Sequence, residues 1–200
     1  SFYPTKIITT GEGGMITTNN KKIYEKVSRL RSHAMTVLPE ERENDGDWKY
    51  DINDIGYNYR LNEMSSALGL SQLKRVSKIN KKRIKIAEMY NKELEDIKGI
   101  SIPKIKKERN HIYHLYSIKI EKNFHMSRNK LFQKLFKKEI STSVQFFPLH
   151  LMSYYKASYK KGINDFPNSN ELKDKILCLP IYPSMNLKHV NYVANQIRGI

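Results

Sequence analysis

The 200-residue chain reads as an α/β protein, and three features of its sequence carry that assignment. Apolar residues recur at helical spacing through residues 62–96. They switch to strand-like alternation in "HIYHLYSIKI", then return to helical spacing after Ser127. At 39% hydrophobic residues the chain also has enough apolar mass to bury a core.

Taken in order, "SFYPTKII" and "MITT" read as short strands joined by a turn at Gly11, Gly13 and Gly14 around Glu12, which puts Lys6 on a strand. In "NNKKIYEKVSRLRSH", Ile23, Val27 and Leu30 share a helical face and Asn20 stands at the N-cap. Residues 36–54 are polar and aperiodic, and read as a surface loop. Asn62 then opens a helix whose Met64, Ala67, Leu68 and Leu73 form an apolar face, with Gly69 leaving room for a close neighbour. A helix over 79–96 carries Ile79, Ile86, Ala87, Tyr90 and Leu94, with Gly99 as its stop signal.

Past Pro103 and the basic stretch "KIKKERN", Ile112, His114, Tyr116, Ile118 and Ile120 share one side of a strand. Ser127 caps the helix "SRNKLFQKLFKKE", and "ISTSVQFF" returns as a strand. Two further helices are expected over 169–178 and 187–198. No internal repeat appears. The change of composition at 97–108 divides the chain into residues 1–100 and a compact α+β part, residues 101–200.

The net charge of +16 raises the question of nucleic acid, since clustered cations neutralise phosphates. Here 27 lysines against 9 arginines, with 17 asparagines and 22 isoleucines, fit a compositional bias. The lysines lie on the faces that helical apolar residues leave free, so a solvated surface is the better account and no nucleic-acid partner is expected. No apolar run approaches the roughly 18 residues of a membrane span, and no signal-peptide pattern is present. The expectation is a cytoplasmic protein with no membrane partner. Cys178, in "ILCLP", reads as a small buried side chain. No metal-ligand spacing and no dinucleotide or P-loop glycine motif appears, so no metal is expected.

A lysine does covalent chemistry when its amine is desolvated or lies near another cation, so that some of it is neutral and can attack a carbonyl to form a Schiff base. Among 27 lysines, Lys6 earns attention only through its context. "SFYPTKIITTGEGG", "GYNYRLNEMSSALGLSQL" and "FFPLHLMSYY" occur in that order along the chain. Together they closely resemble the DegT/DnrJ/EryC1/StrS family of pyridoxal-phosphate-dependent sugar aminotransferases. The resemblance runs from residue 1 to about residue 197 and matches the second half of a family member, from the cofactor lysine onward.

The resemblance implies an aspartate-aminotransferase-type (fold type I) architecture. Residues 1–100 would complete the cofactor-binding large domain, and 101–200 would form the small α+β C-terminal domain. It implies pyridoxal 5'-phosphate as cofactor, a Schiff base on Lys6, and amino transfer from a donor, glutamate in the family, to a keto group of a nucleotide-linked deoxysugar. Ser1 corresponds to the serine that holds the cofactor phosphate. Asn58 corresponds to the asparagine that reaches across a homodimer interface to the partner's cofactor phosphate. Arg60 is a candidate contact for phosphate or substrate, because a guanidinium makes two fixed hydrogen bonds to an oxyanion. His150 resembles the histidine near the sugar-nucleotide pocket; taken from the residues alone it is equally a packed histidine between apolar neighbours.

Two departures from the family pattern stand out. Tyr3 occupies the place of a usual histidine, and Ala34 follows His33 where glycine is common. In the family, the carboxylate facing the pyridine nitrogen and the ring that stacks on the cofactor come from the first half. This polypeptide by itself is therefore expected to be inactive, or active only with that half on a separate chain. A non-catalytic, partner-binding half and a basic nucleic-acid module are the rival expectations.

Overall fold

The computed structural model describes residues 1–199 and divides into two compact units, Ser1–Val76 and Ser77–Ile200. The sequence-based boundary at 97–108 lies later, after the long helix that opens the second unit.

The first unit carries α1 (Lys21–Leu30), α2 (Pro39–Asp45) and α3 (Glu63–Leu73). Local chemistry fixes the helix starts. The Asn20 side chain accepts from the Lys22 and Ile23 amides, and that of Asn62 from the Ser65 amide. Helix α2 lies inside the segment expected to be a loop; Pro39 pre-sets its first turn and Glu41 Oε2 accepts from the Leu38 amide at 2.7 Å. The two N-terminal strands do not form. Residues 1–18 are turns, bends and extended chain, because among the described residues no second strand lies alongside to extend the few backbone hydrogen bonds they make with one another.

The apolar face expected on α3 is real but faces solvent: Met64 is 83%, Leu68 42% and Leu73 54% exposed. The face of α3 that packs within this unit is the small, polar one, at Gly69 and Gln72.

The second unit begins with α4 (Val76–Leu94), which buries Ile86, Ala87, Tyr90 and Leu94 as their spacing predicts. A three-stranded antiparallel sheet follows, in the order β1 (Ile100–Ser101), β2 (Tyr116–Ile120), β3 (Ile176–Leu179). Its register pairs Ile100 with Ile120 and Ile118 with Leu177. The alternation in β2 turns Tyr116, Ile118 and Ile120 into the core. There they meet Leu131 and Leu135 of α5 (Arg128–Lys137) and Val190, Val193 and Ile197 of α8 (Leu187–Arg198). Ser127 caps α5 as expected. Two short helices, α6 (Ser153–Tyr159) and α7 (Pro167–Leu172), complete the unit.

Two expectations fail here. The helix over 169–178 stops at Leu172, and "ILCL" becomes β3, with Cys178 buried at 3% exposure. The apolar run takes a strand because β2 supplies a complete hydrogen-bonding partner. Conversely, "ISTSVQFF" contributes only a bridge between Ser143 and Cys178, whose amides and carbonyls exchange hydrogen bonds at 2.8 and 3.2 Å.

Candidate active site

Lys6 sits on a loop, not on a strand. Its amide donates to the Tyr3 carbonyl at 2.9 Å, which closes a turn over Pro4 and Thr5. The loop is then laced shut at its base: the Thr10 amide donates to the Phe2 carbonyl at 3.0 Å, and the Phe2 amide to the Gly13 carbonyl at 2.9 Å. The glycine turn behaves as its composition predicts. Gly11 has φ +83° and Gly13 φ +143°, and a Cβ on Gly13 would lie 2.8 Å from Thr10 Oγ1 and 3.1 Å from Leu61 Cδ1.

Helix α3 holds this loop from the other side. Gln72 makes a two-point amide clamp on Thr9, its Nε2 donating to the carbonyl at 3.1 Å and its Oε1 accepting from the amide at 3.2 Å. Gly69 leaves the space that Thr10 fills; a Cβ there would lie 2.8 Å from Thr10 Cγ2. Lys6 itself is exposed, and among the described residues no carboxylate lies within ion-pair distance of its amine. Ser1 is exposed on the same loop, with its Oγ 3.4 Å from the Tyr3 amide.

Asn58 and Arg60 lie on an extended strap tied to the turn that follows α1. The Tyr57 amide donates to Leu30 O at 2.7 Å, the His33 amide to Tyr57 O at 2.9 Å and the Tyr59 amide to Arg31 O at 2.8 Å. Gly56 is needed here, because a Cβ would run into the backbone of His33 and Ala34. His33 and Ala34 are both left-handed, at φ +61° and +58°. That conformation accounts physically for the glycine usual after this histidine, since Ala34 adopts it against the steric preference of an L-residue. Arg60 Nη1 donates to the buried Ser32 hydroxyl at 3.0 Å.

His150 belongs to the second unit, in a 3-10 turn over Leu149–Leu151. It is half-buried, with Nε2 3.2 Å from Asn170 Oδ1 and its ring 4.6 Å from that of Phe166. The contacts of the packed-histidine reading are therefore present, and they leave a contact with substrate open.

Lys6 and Ser1 thus share one braced loop, and Asn58 and Arg60 share one braced strap. Ser32 and Gln72, which do the bracing, were not singled out in the sequence. Their hydrogen bonds span 28 and 63 residues, and no local pattern in the sequence ties either residue to its partner. Among the described residues no group of His, Cys, Asp or Glu is placed to hold a metal ion, and no helix is long and apolar enough to cross a membrane.

Residues 1–198 match the family model described as the DegT/DnrJ/EryC1/StrS aminotransferase family. The chain belongs to that family. It is 41% identical over 204 residues to the uncharacterized protein MJ1066 of Methanocaldococcus jannaschii, covering all of this chain and 52% of that protein. Over 200 residues it is 34% identical to a UDP-4-amino-4,6-dideoxy-N-acetyl-beta-L-altrosamine transaminase of Campylobacter jejuni, covering 51% of it.

Among solved structures, Helicobacter pylori PseC, an aminotransferase involved in the biosynthesis of pseudoaminic acid, superposes with a TM-score of 0.85 at 30% identity. The superposition covers 98% of this chain and 51% of PseC. The chain spans about half the length of the relatives it matches. Its fold is that of the second half of a fold type I sugar aminotransferase.

DegT/DnrJ/EryC1/StrS aminotransferases use pyridoxal phosphate, and the donor set of the Lys6 loop fits that group. The Lys6 amine lies outside any ion pair, which leaves it open to the aldehyde, and the Ser1 hydroxyl on the same loop suits the phosphate; the desolvation that makes such an amine nucleophilic is not supplied by the described residues. When bound, the cofactor supplies an electron sink for the substrate carbon.

Proposed function

We propose that this chain is the lysine-bearing half of a sugar aminotransferase that moves an amino group from glutamate to a keto group of a nucleotide-linked deoxysugar. The observation that carries the proposal is the Lys6 loop. An exposed, unpaired amine stands on a segment fixed at its base by the glycine turn and by Gln72, so the amine is presented while its backbone is held.

In this reading Lys6 holds the cofactor in the resting protein, and its Nζ then moves the proton to and from the carbon that bears the nitrogen. Ser1 grips the cofactor phosphate, and Asn58 reaches the cofactor phosphate of the other subunit of a homodimer. Arg60 binds an oxyanion of cofactor or substrate, and His150 contacts the sugar nucleotide. Residues 1–100 complete the large domain and 101–200 form the small one.

The exposed apolar face of α3 at Met64, Leu68 and Leu73 supports a need for the other half of the architecture, supplied in the same or a separate chain. The expected outcome is that pyridoxal phosphate, trapped with borohydride in the presence of that half, labels Lys6, and that Lys6→Ala removes the label. Mass mapping that finds the label spread over surface lysines, unchanged in Lys6→Ala, overturns the proposal.

A further inference from the structure

The proposed function gives Arg60 an oxyanion to hold but leaves open what aims its guanidinium. Arg60 is exposed, and a guanidinium on a flexible stem loses rotamer freedom when it binds. One residue addresses this. Ser32 is 1% exposed, sits in the turn after α1, and accepts from Arg60 Nη1 at 3.0 Å. The same residue forms the backbone bridge to Asn58. Its amide is fixed in turn by the Arg29 carbonyl at 2.9 Å, so the hydroxyl is presented from a rigid point.

We infer that Ser32 is a positioning residue for the oxyanion contact. Its hydroxyl takes one N–H of Arg60, and its backbone sets the register of Asn58 two residues earlier. A guanidinium has five N–H donors. Among the described residues Ser32 is the one hydrogen-bond partner of this guanidinium, and no carboxylate pairs with it. The remaining donors keep the fork that a phosphate or carboxylate accepts in two parallel bonds. A carboxylate in place of Ser32 would neutralise the fork, and an apolar side chain would let it swing. A buried hydroxyl anchors the group and leaves its charge for the ligand.

This inference rests on the oxyanion reading of Arg60, and the two are separable by experiment. The full chain, labelled with nitrogen-15, is titrated with pyrophosphate, glutamate and pyridoxal phosphate in separate arms while the Arg60 side-chain signals are followed. The arm that moves them identifies the source of the oxyanion. In the wild type, Arg60 is expected to show restricted rotation and to respond to one arm. Ser32→Ala is expected to release that rotation and weaken the response about tenfold, the scale of one hydrogen bond to a charged group. Ser32→Thr, which keeps the hydroxyl, is expected to restore both.

The Tyr57 and Tyr59 amides serve as the control for the fold of the strap. Their staying in place in Ser32→Ala supports the inference; their loss means that Ser32 acts through the backbone alone, and overturns it. A wild-type response that Ser32→Ala leaves intact also overturns it, while Arg60 keeps its oxyanion. Release of the guanidinium with no response to any arm overturns the oxyanion reading of Arg60, and with it the purpose assigned to Ser32.

Discussion

In the second unit, Tyr90, Leu94, Tyr116, Ile118, Leu131, Leu135 and Leu177 are all out of solvent, gathered from a sheet and two helices. In the first unit, the buried residues among those described are Thr10, Ser32 and Ala34, two polar and one with a single methyl group. The first unit is ordered by hydrogen bonds and tight glycines, the second by apolar burial. Folding free energy comes chiefly from burial, at about 25 cal/mol per Å² of apolar surface. The unit that carries Lys6, Asn58 and Arg60 is therefore the one least able to stabilise itself. Backbone lacing can specify the shape of a loop, but each such bond adds only about 1 kcal/mol net.

The largest effect that tests this contrast comes from truncating one leucine in each unit. Leu131 is fully buried in the core of the second unit, so Leu131→Ala is expected to cost about 3 kcal/mol in urea denaturation. Leu68 on α3 is 42% exposed, and Leu68→Ala is expected to change stability by less than about 0.5 kcal/mol. Equal costs would mean that the first unit, like the second, is held by apolar burial. A cost at Leu68 that appears only when the other half of the architecture is supplied would show that the apolar face of α3 had gained a cover.

The same contrast explains what the sequence made legible. Helix caps were readable at Asn20, Asn62 and Ser127 because a cap is settled within three residues. The core face of α4 was readable at Ile86, Ala87, Tyr90 and Leu94 because its periodicity meets a core present in this chain. The apolar face of α3 was readable as a pattern but not as to what covers it. Strands fared worst, since "ILCL" and "MITT" look alike until pairing decides them: the first finds β2, and the second finds no strand. At the proposed site, Lys6 and Asn58 stand out only through the motifs that contain them. Ser32 and Gln72 do not stand out, because the contacts that give them a role join segments far apart in sequence.

An intermediate effect follows from the tyrosines of the second unit. Tyr90 and Tyr116 stack at 4.8 Å, and their hydroxyls donate to the Pro180 carbonyl at 3.0 Å and to Asn91 Oδ1 at 2.7 Å. Burial first, and then the neighbouring tyrosines, push both phenols well above their ordinary value of 10.0. The folded state thus keeps protons that the unfolded state releases. The stabilising contribution is complete below pH 10 and is lost as pH rises towards the folded values. Each phenol is expected to remove about 1.4 kcal/mol of stability per pH unit above pH 10. Urea melts between pH 9 and 11 check this, and Tyr90→Phe, which cannot ionise, is expected to shallow the slope. A slope unchanged by that substitution would place the alkaline sensitivity outside this stack.

The smallest effect is the one closest to the chemistry. Gln72→Ala removes both arms of the clamp on Thr9 and leaves the glycine turn intact. Because the first unit contributes little to global stability, the urea midpoint is expected to stay put. The loss is expected locally instead, as amide exchange at Thr9 about fivefold faster, the equivalent of one net hydrogen bond. Borohydride trapping of pyridoxal phosphate at Lys6 is expected to fall in parallel, since a loop that opens no longer holds the amine where the cofactor meets it. Unchanged exchange would mean that the Phe2 and Gly13 lacing alone shapes the loop. Faster exchange with full trapping would mean that Lys6 needs only its exposure, and that the bracing from α3 serves the fold of the first unit instead of its chemistry.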